Sequence, residues 1–107
     1  MPIPRSGRPV RGSQTGRPIM VLLDALGRRW ALRIVWELRQ GPATFAGLQA
    51  RCDAMSPSVL NQRLAELRTL GIVTAGEDGY ALTPAGAALG PLLGDLDAWA
   101  RRWVPRA

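Results

Sequence analysis

The positions from Ile19 to Leu26 are apolar except for Asp24. On a helix such a run has apolar faces in more than one direction, which predicts a helix covered on several sides. Gly27 breaks the pattern, and Trp30, Ala31, Ile34, Val35 and Leu38 then form one stripe at helical spacing before a Gly41-Pro42 stop. Leu32 and Trp36, four apart, give this second helix another apolar facet. Thr44 is placed to cap a short helix in which Phe45, Leu48 and Cys52 recur on one face. Ser56 followed by Pro57 supplies an N-cap and a first-turn proline for a helix running to Gly71. In it Leu60, Leu64 and Leu67 line the inner face, with Val59 and Leu70 flanking. Ser58, Asn61, Gln62, Ala65 and Thr69 project the other way, giving an outward face that is polar but nearly uncharged.

The short β-prone runs Ile72 to Ala75 and Tyr80 to Leu82 surround Gly76-Glu77-Asp78-Gly79, where Asp-Gly signals a hairpin. Thr83-Pro84 opens a final helical region by the same cap-plus-proline logic. There Leu89, Leu92, Leu96, Trp99 and Trp103 are spaced 3, 4, 3, 4, the seam of a helix that pairs with another helix. Gly90-Pro91 is expected to kink or restart that helix, so the seam runs from Leu92 onward. Helix, helix, short helix, helix, hairpin and long helix predict a mainly α fold with a small β-hairpin, in the order of a winged helix-turn-helix.

In that fold the short third helix braces the fourth, whose N-terminal residues enter the major groove. Asn and Gln can bond adenine bidentately, and Ser can bond base edges or phosphate. Ser56, Ser58, Asn61 and Gln62 are therefore the candidate DNA contacts. Arg63, on the flank, could hold a phosphate or pair with Glu66 or Glu37.

Charge adds a second feature. All 14 basic residues are arginine, against 8 acids, for a net charge of +6. Arg5, Arg8, Arg11 and Arg17 lie among the first seventeen residues with no acid beside them, so the excess belongs mainly to this segment. Its prolines, glycines and polar residues predict an extended arm over 1–17 preceding a folded domain over 18–107. A basic arm points to a polyanion, whose counterions it would release. Gly-Arg-Pro occurs at Gly7-Arg8-Pro9 and again at Gly16-Arg17-Pro18. It is the centre of the AT-hook, in which Arg-Pro lies in a minor groove whose narrow A·T tracts attract arginine. Nonspecific phosphate binding, packing against a partner subunit and simple solubilisation are the other uses of such an arm.

Other classes lack reagents. With no histidine, no lysine and one cysteine, the chain has no ordinary zinc site, no intrachain disulfide and no evident general base or Schiff-base amine. Asp95 and Asp97 fall on different faces of a helix, and no phosphate-cradling glycine loop is present. Neither catalysis nor a metal or cofactor is expected. No stretch reads as a signal peptide or membrane span, so the expected location is the cytoplasm, at the nucleoid. Four tryptophans are many for 107 residues, and Trp30 and Trp36 are candidates to line a pocket for a small apolar effector.

Ala25-Leu26-Gly27-Arg28-Arg29-Trp30, Leu38-Arg39-Gln40-Gly41-Pro42, Phe45-Ala46-Gly47-Leu48 and above all Met55-Ser56-Pro57-Ser58-Val59-Leu60-Asn61-Gln62-Arg63-Leu64 carry a family likeness. With Leu70-Gly71-Ile72-Val73 and Tyr80-Ala81-Leu82-Thr83 they resemble the HxlR-type bacterial transcription regulators of the MarR-like superfamily, from about Pro18 to Trp103. The resemblance implies a homodimeric winged-helix repressor or activator on a palindromic operator. Its first and last helices would make the dimer interface, here through Leu22, Leu26, Leu92, Leu96, Trp99 and Trp103. Three features depart from the family. The place of its oxidant-sensing cysteine is taken by Arg17-Pro18, and Cys52 shares the buried face of Phe45 and Leu48. The wing is a tight turn bearing Glu77 and Asp78, which would repel phosphate. The third departure is the arm. A non-catalytic winged-helix interaction module that binds no DNA is the competing class.

Overall fold

The computed structural model describes residues 17–103. Six helices and two strands follow in the order α1 (Pro18–Leu26), α2 (Ala31–Leu38), α3 (Phe45–Arg51), α4 (Pro57–Thr69), β1 (Val73–Gly76), β2 (Gly79–Leu82), α5 (Pro84–Ala87) and α6 (Gly90–Trp103). This is the mainly helical winged helix-turn-helix expected. Proline occupies the first turn of α1, α4 and α5, where its missing N–H costs nothing. Side-chain oxygens cap three helix starts: Thr44 accepts from the Gly47 N–H at 3.0 Å, Ser56 from Val59 at 3.5 Å and Thr83 from Gly86 at 3.0 Å.

The core is drawn from the inner stripes of α2, α3 and α4. Ile34, Val35, Leu48, Cys52 and Leu60 are wholly excluded from solvent, and Leu38, Leu64, Leu67 and Val73 nearly so. Trp30 stands just outside α2, as its left-handed N-cap with φ of 78°. Between α3 and α4 the chain turns through two consecutive left-handed residues, Asp53 and Ala54 (φ 58° and 56°). Such backbone persists only where its surroundings fix it. Here the Ala54 N–H bonds the Gln49 carbonyl at 2.9 Å, and the Gln49 amide bonds the Met55 carbonyl at 2.9 Å. Arg33 of α2 reaches both the Arg51 carbonyl (2.6 Å) and Asp53 (3.2 Å). The angle between α3 and α4 is thereby locked from outside the turn.

At the far end of α4, Gly71 adopts φ of +74° and its N–H bonds the Arg68 carbonyl, while the Ile72 N–H reaches back to Leu67. This is a Schellman closure, which a residue with a side chain would strain. The chain then enters β1, antiparallel to β2 in the register Val73↔Leu82 to Gly76↔Gly79. Ala43, ahead of α3, pairs with Tyr80 by bonds of 2.9 and 2.8 Å and extends the hairpin by one bridge. Glu77 and Asp78 form the turn without positive φ; that falls on Gly79, at +102°. The final helical region divides at Ala88-Leu89 into α5 and α6, with Gly90-Pro91 opening α6, and no residue of α6 is buried.

Gly79 is doubly constrained, because a Cβ there would also lie 2.4 Å from the Ala43 carbonyl oxygen. Gly79→Ala is expected to lose on the order of 2 kcal/mol of stability and to lower the thermal midpoint accordingly. An unchanged melting curve would show that the Ala43–Tyr80 bridge is not needed to hold the wing.

Candidate nucleic-acid interface

Three leucines of α4 bury its inner side, which leaves Ser58, Asn61, Gln62, Ala65 and Thr69 exposed on the other. Ser56 and Ser58 are exposed as well, and their hydroxyls lie 3.0 Å apart, so the cap serine is partly committed within the helix start. The amides of Asn61 and Gln62 have no hydrogen-bond partner among the described residues. They are thus available to base edges without breaking an internal bond. The outward face carries no carboxylate along this length.

Its one acid has been turned inward. Glu66 is 7% exposed and lies between two arginines: one carboxylate oxygen accepts from Arg63 at 2.7 Å, and the other pairs with Arg28. Arg28, from the turn after α1, also reaches Asp24 of α1 at 3.3 Å. Arg63 completes the set by donating to the Arg29 carbonyl at 2.9 Å. Of the roles open to Arg63, the structure gives it the internal one: it pairs with Glu66, its side chain is 17% exposed, and Glu37 pairs instead with Arg33 at 2.8 Å. A buried ion pair contributes little net stability after desolvation, but it dictates where its members stand. This one ties α4 to α1 and to the α1–α2 turn. Sequence spacing hinted at Arg63 with Glu66, three apart; nothing in it placed Arg28 against a residue 38 positions away.

The surfaces assigned to dimerisation divide differently from the expectation. Leu92, Leu96, Trp99 and Trp103 of α6 are all exposed, and the two indoles stack with centroids 5.4 Å apart. On α1, however, Leu22 and Leu26 pack partly against the chain's own core, and the outward apolar pair is Ile19 and Leu23, each 55% exposed. An almost uniformly apolar run has no periodicity from which to choose the outer face. Trp30 and Trp36 line two adjoining grooves that share Leu32 and Arg33. Trp36, with the Arg39 guanidinium 3.7 Å from its ring centre, lines an open groove of about 280 Å³ with Leu32, Leu93, Leu96 and Ala100. Trp30 lines the adjoining groove with Leu26, Arg28 and Arg29. Cys52 is fully buried, and burial pushes its thiol pKa up, away from the reactive thiolate.

At the wing tip Glu77 and Asp78 are exposed, with no basic residue in the hairpin. Arg17 precedes α1 and is exposed; Arg5, Arg8 and Arg11 lie outside the described residues. Among the described residues no helix is long and apolar enough to cross a membrane.

This arrangement agrees with the comparison to known families, in which a model of the HxlR-like helix-turn-helix matches residues 25–107. The chain belongs to the HxlR-like helix-turn-helix family. It is 36% identical over 89 residues to YvaP of Bacillus subtilis (strain 168), an uncharacterized HTH-type transcriptional regulator; the match covers 77% of this chain and 82% of YvaP. The quinone-bound crystal structure of YodB from B. subtilis superposes with a TM-score of 0.73 at 31% identity, over 78% of this chain and 96% of YodB. Reduced YodB gives 0.68 at 29% identity, over 81% and 93%. As an HxlR-like protein the chain is a DNA-binding transcription regulator, and its relatives are regulators too.

Removing one member of the buried ion cluster should show its role. Glu66→Ala, which leaves Arg28 with Asp24 and Arg63 with no carboxylate among the described residues, is expected to cost about 3 kcal/mol in urea unfolding. Glu66→Gln, which keeps the hydrogen-bonding shape, should cost clearly less. Equal, small losses for both would mean that α4 is held by its leucines alone.

Proposed function

We propose that this HxlR-like regulator binds a palindromic operator as a homodimer, reading each half-site with α4 through Asn61 and Gln62, assisted by Ser56 and Ser58. The observation that carries the reading is the outward face of α4: exposed, free of carboxylates, and bearing two amides without a partner among the described residues. Arg63 is left out of the contact set because its guanidinium is engaged with Glu66 and the Arg29 carbonyl.

The homodimer rests on α6 and α1. A 14-residue helix with no buried residue gains little from its own chain, and helices of that length are marginal alone in water. Covering Leu92, Leu96, Trp99 and Trp103, together with Ile19 and Leu23, by the same surfaces of a second subunit gives both helices a core. The division into an arm over 1–17 and a domain over 18–107 belongs to the same proposal. With an acidic wing tip, the arm's Arg5, Arg8, Arg11 and Arg17 supply contacts to the minor groove or to phosphates. The protein would then act in the cytoplasm, on the nucleoid.

The groove between α2 and α6 adds a place for a small apolar effector. At about 280 Å³ it sits near the lower end of ligand pockets, and a ligand there would touch Leu96 on the dimerising seam. YodB has been crystallised bound to a quinone. In this chain the single thiol is buried, so an aromatic effector of that kind would be held by Trp36 and its apolar neighbours without a covalent bond.

Fluorescence anisotropy on matched A·T-rich and G·C-rich duplexes tests the reading. Asn61→Ala and Gln62→Ala should each weaken binding to the preferred duplex about 5- to 150-fold. A protein beginning at Pro18 should show a flatter dependence of affinity on salt and lose preference for A·T. Binding that ignores both amides and the arm would contradict this reading, and no duplex binding at all would favour a docking module.

A further inference from the structure

The outward face of α4 does not stop at Gln62. Ala65 and Thr69 continue it, and where the helix meets the wing they line a groove of about 480 Å³ together with Arg68, Val73 and Thr74. Arg68 is exposed and belongs to none of the ion pairs among the described residues, whereas Arg28, Arg33, Arg63 and Arg101 are each held by a carboxylate. The Thr69 hydroxyl donates to the Ala65 carbonyl at 3.0 Å, so its proton is committed. Thr74, on β1, is exposed and has no side-chain partner among the described residues. Among the described residues, the groove thus presents one cation outside any ion pair and one uncommitted hydroxyl donor on the side of α4 that bears Asn61 and Gln62.

We propose that this groove seats a backbone phosphate of the bound duplex, with the Arg68 guanidinium as the charged donor and the Thr74 hydroxyl as the second. The proposal rests on α4 being the major-groove reader. Seven residues separate Asn61 from Arg68, about 10 Å along a helix axis. The major groove is about 12 Å wide. With the amides at its floor, Arg68 reaches the flanking sugar-phosphate strand and not another base edge.

Electrostatics single out the arginine within this pair. The last turn of α4 carries the partial negative charge of a helix C-terminus, which repels an anion, so neutral donors alone would not hold a phosphate there. Glu77 is three residues beyond Thr74 along the strand, about 10 Å at the usual rise. That is close to one Debye length at 0.1 M salt, so the repulsion from the acidic tip is weakened by screening at the groove. The wing then engages DNA at its root while its tip stays clear. An acid-tipped hairpin is thereby compatible with a duplex lying against α4.

The test uses the full chain and two variants at exposed positions, each first checked for a wild-type thermal unfolding transition. Arg68→Ala should weaken binding to preferred and random duplexes by the same factor, about tenfold in 0.1 M salt. It should also reduce the slope of log affinity against log salt by about 1, the signature of one lost phosphate contact. Thr74→Val should give a smaller, equally sequence-independent loss with the slope unchanged. A wild-type slope for Arg68→Ala, or a loss confined to one base position, would overturn the phosphate seat while leaving the α4 reading intact. Failure of the wild-type protein to bind any duplex would overturn both.

Discussion

Burial of the Glu66 carboxylate is the constraint on which the presentation of α4 depends. A helix that approaches a polyanion is best without acids on its working face, yet this helix carries one midway along. The fold resolves the conflict by rotating Glu66 inward, where Arg28 and Arg63 neutralise it and Asp24 balances Arg28. Two arginines are consumed in doing so, which leaves the N-terminal part of the outward face polar and uncharged. Its discrimination has to come from the geometry of amides and hydroxyls, and its electrostatic affinity from groups placed elsewhere.

The same cluster gives the helix a fixed relation to the rest of the chain. Asp24 is on α1, whose outer edge presents Ile19 and Leu23. Arg28 and the Arg29 carbonyl belong to the turn that follows. A second subunit packed on α1 and α6 would therefore meet a surface that is tied to α4 through ions and hydrogen bonds, and the spacing between two α4 helices would follow from the dimer contact.

Much of this was legible in the residues. Ser56-Pro57 and Thr83-Pro84 announced helix starts that the structure caps with those hydroxyls. The leucine stripe of α4 separated its buried face from its polar one correctly, because four polar residues and three leucines fall on opposite sides at helical spacing. The wing was legible through Asp78-Gly79, although the positive φ falls on the glycine and not within the turn pair. What stayed hidden has physical causes. The outward face of α1 cannot be chosen within an almost uniformly apolar run, which is why the exposure of Ile19 and Leu23 beside the half-buried Leu22 and Leu26 was not foreseen. Trp30 sits in a left-handed turn ahead of α2, which no local pattern signals, so it lines the groove next to that of Trp36. The role of Glu66 required a contact between residues 38 apart, which no local pattern encodes.

The central claim is that two copies of α4, held at a fixed spacing, read a symmetric sequence. The direct measurement is selection of bound duplexes from a random pool by the intact protein, followed by sequencing. A dimer reading two half-sites should enrich an inverted repeat whose half-site centres lie about 10 base pairs, one helical turn, or a multiple of it, apart. Enrichment of a single unrepeated site, or no enrichment over the starting pool, would contradict it.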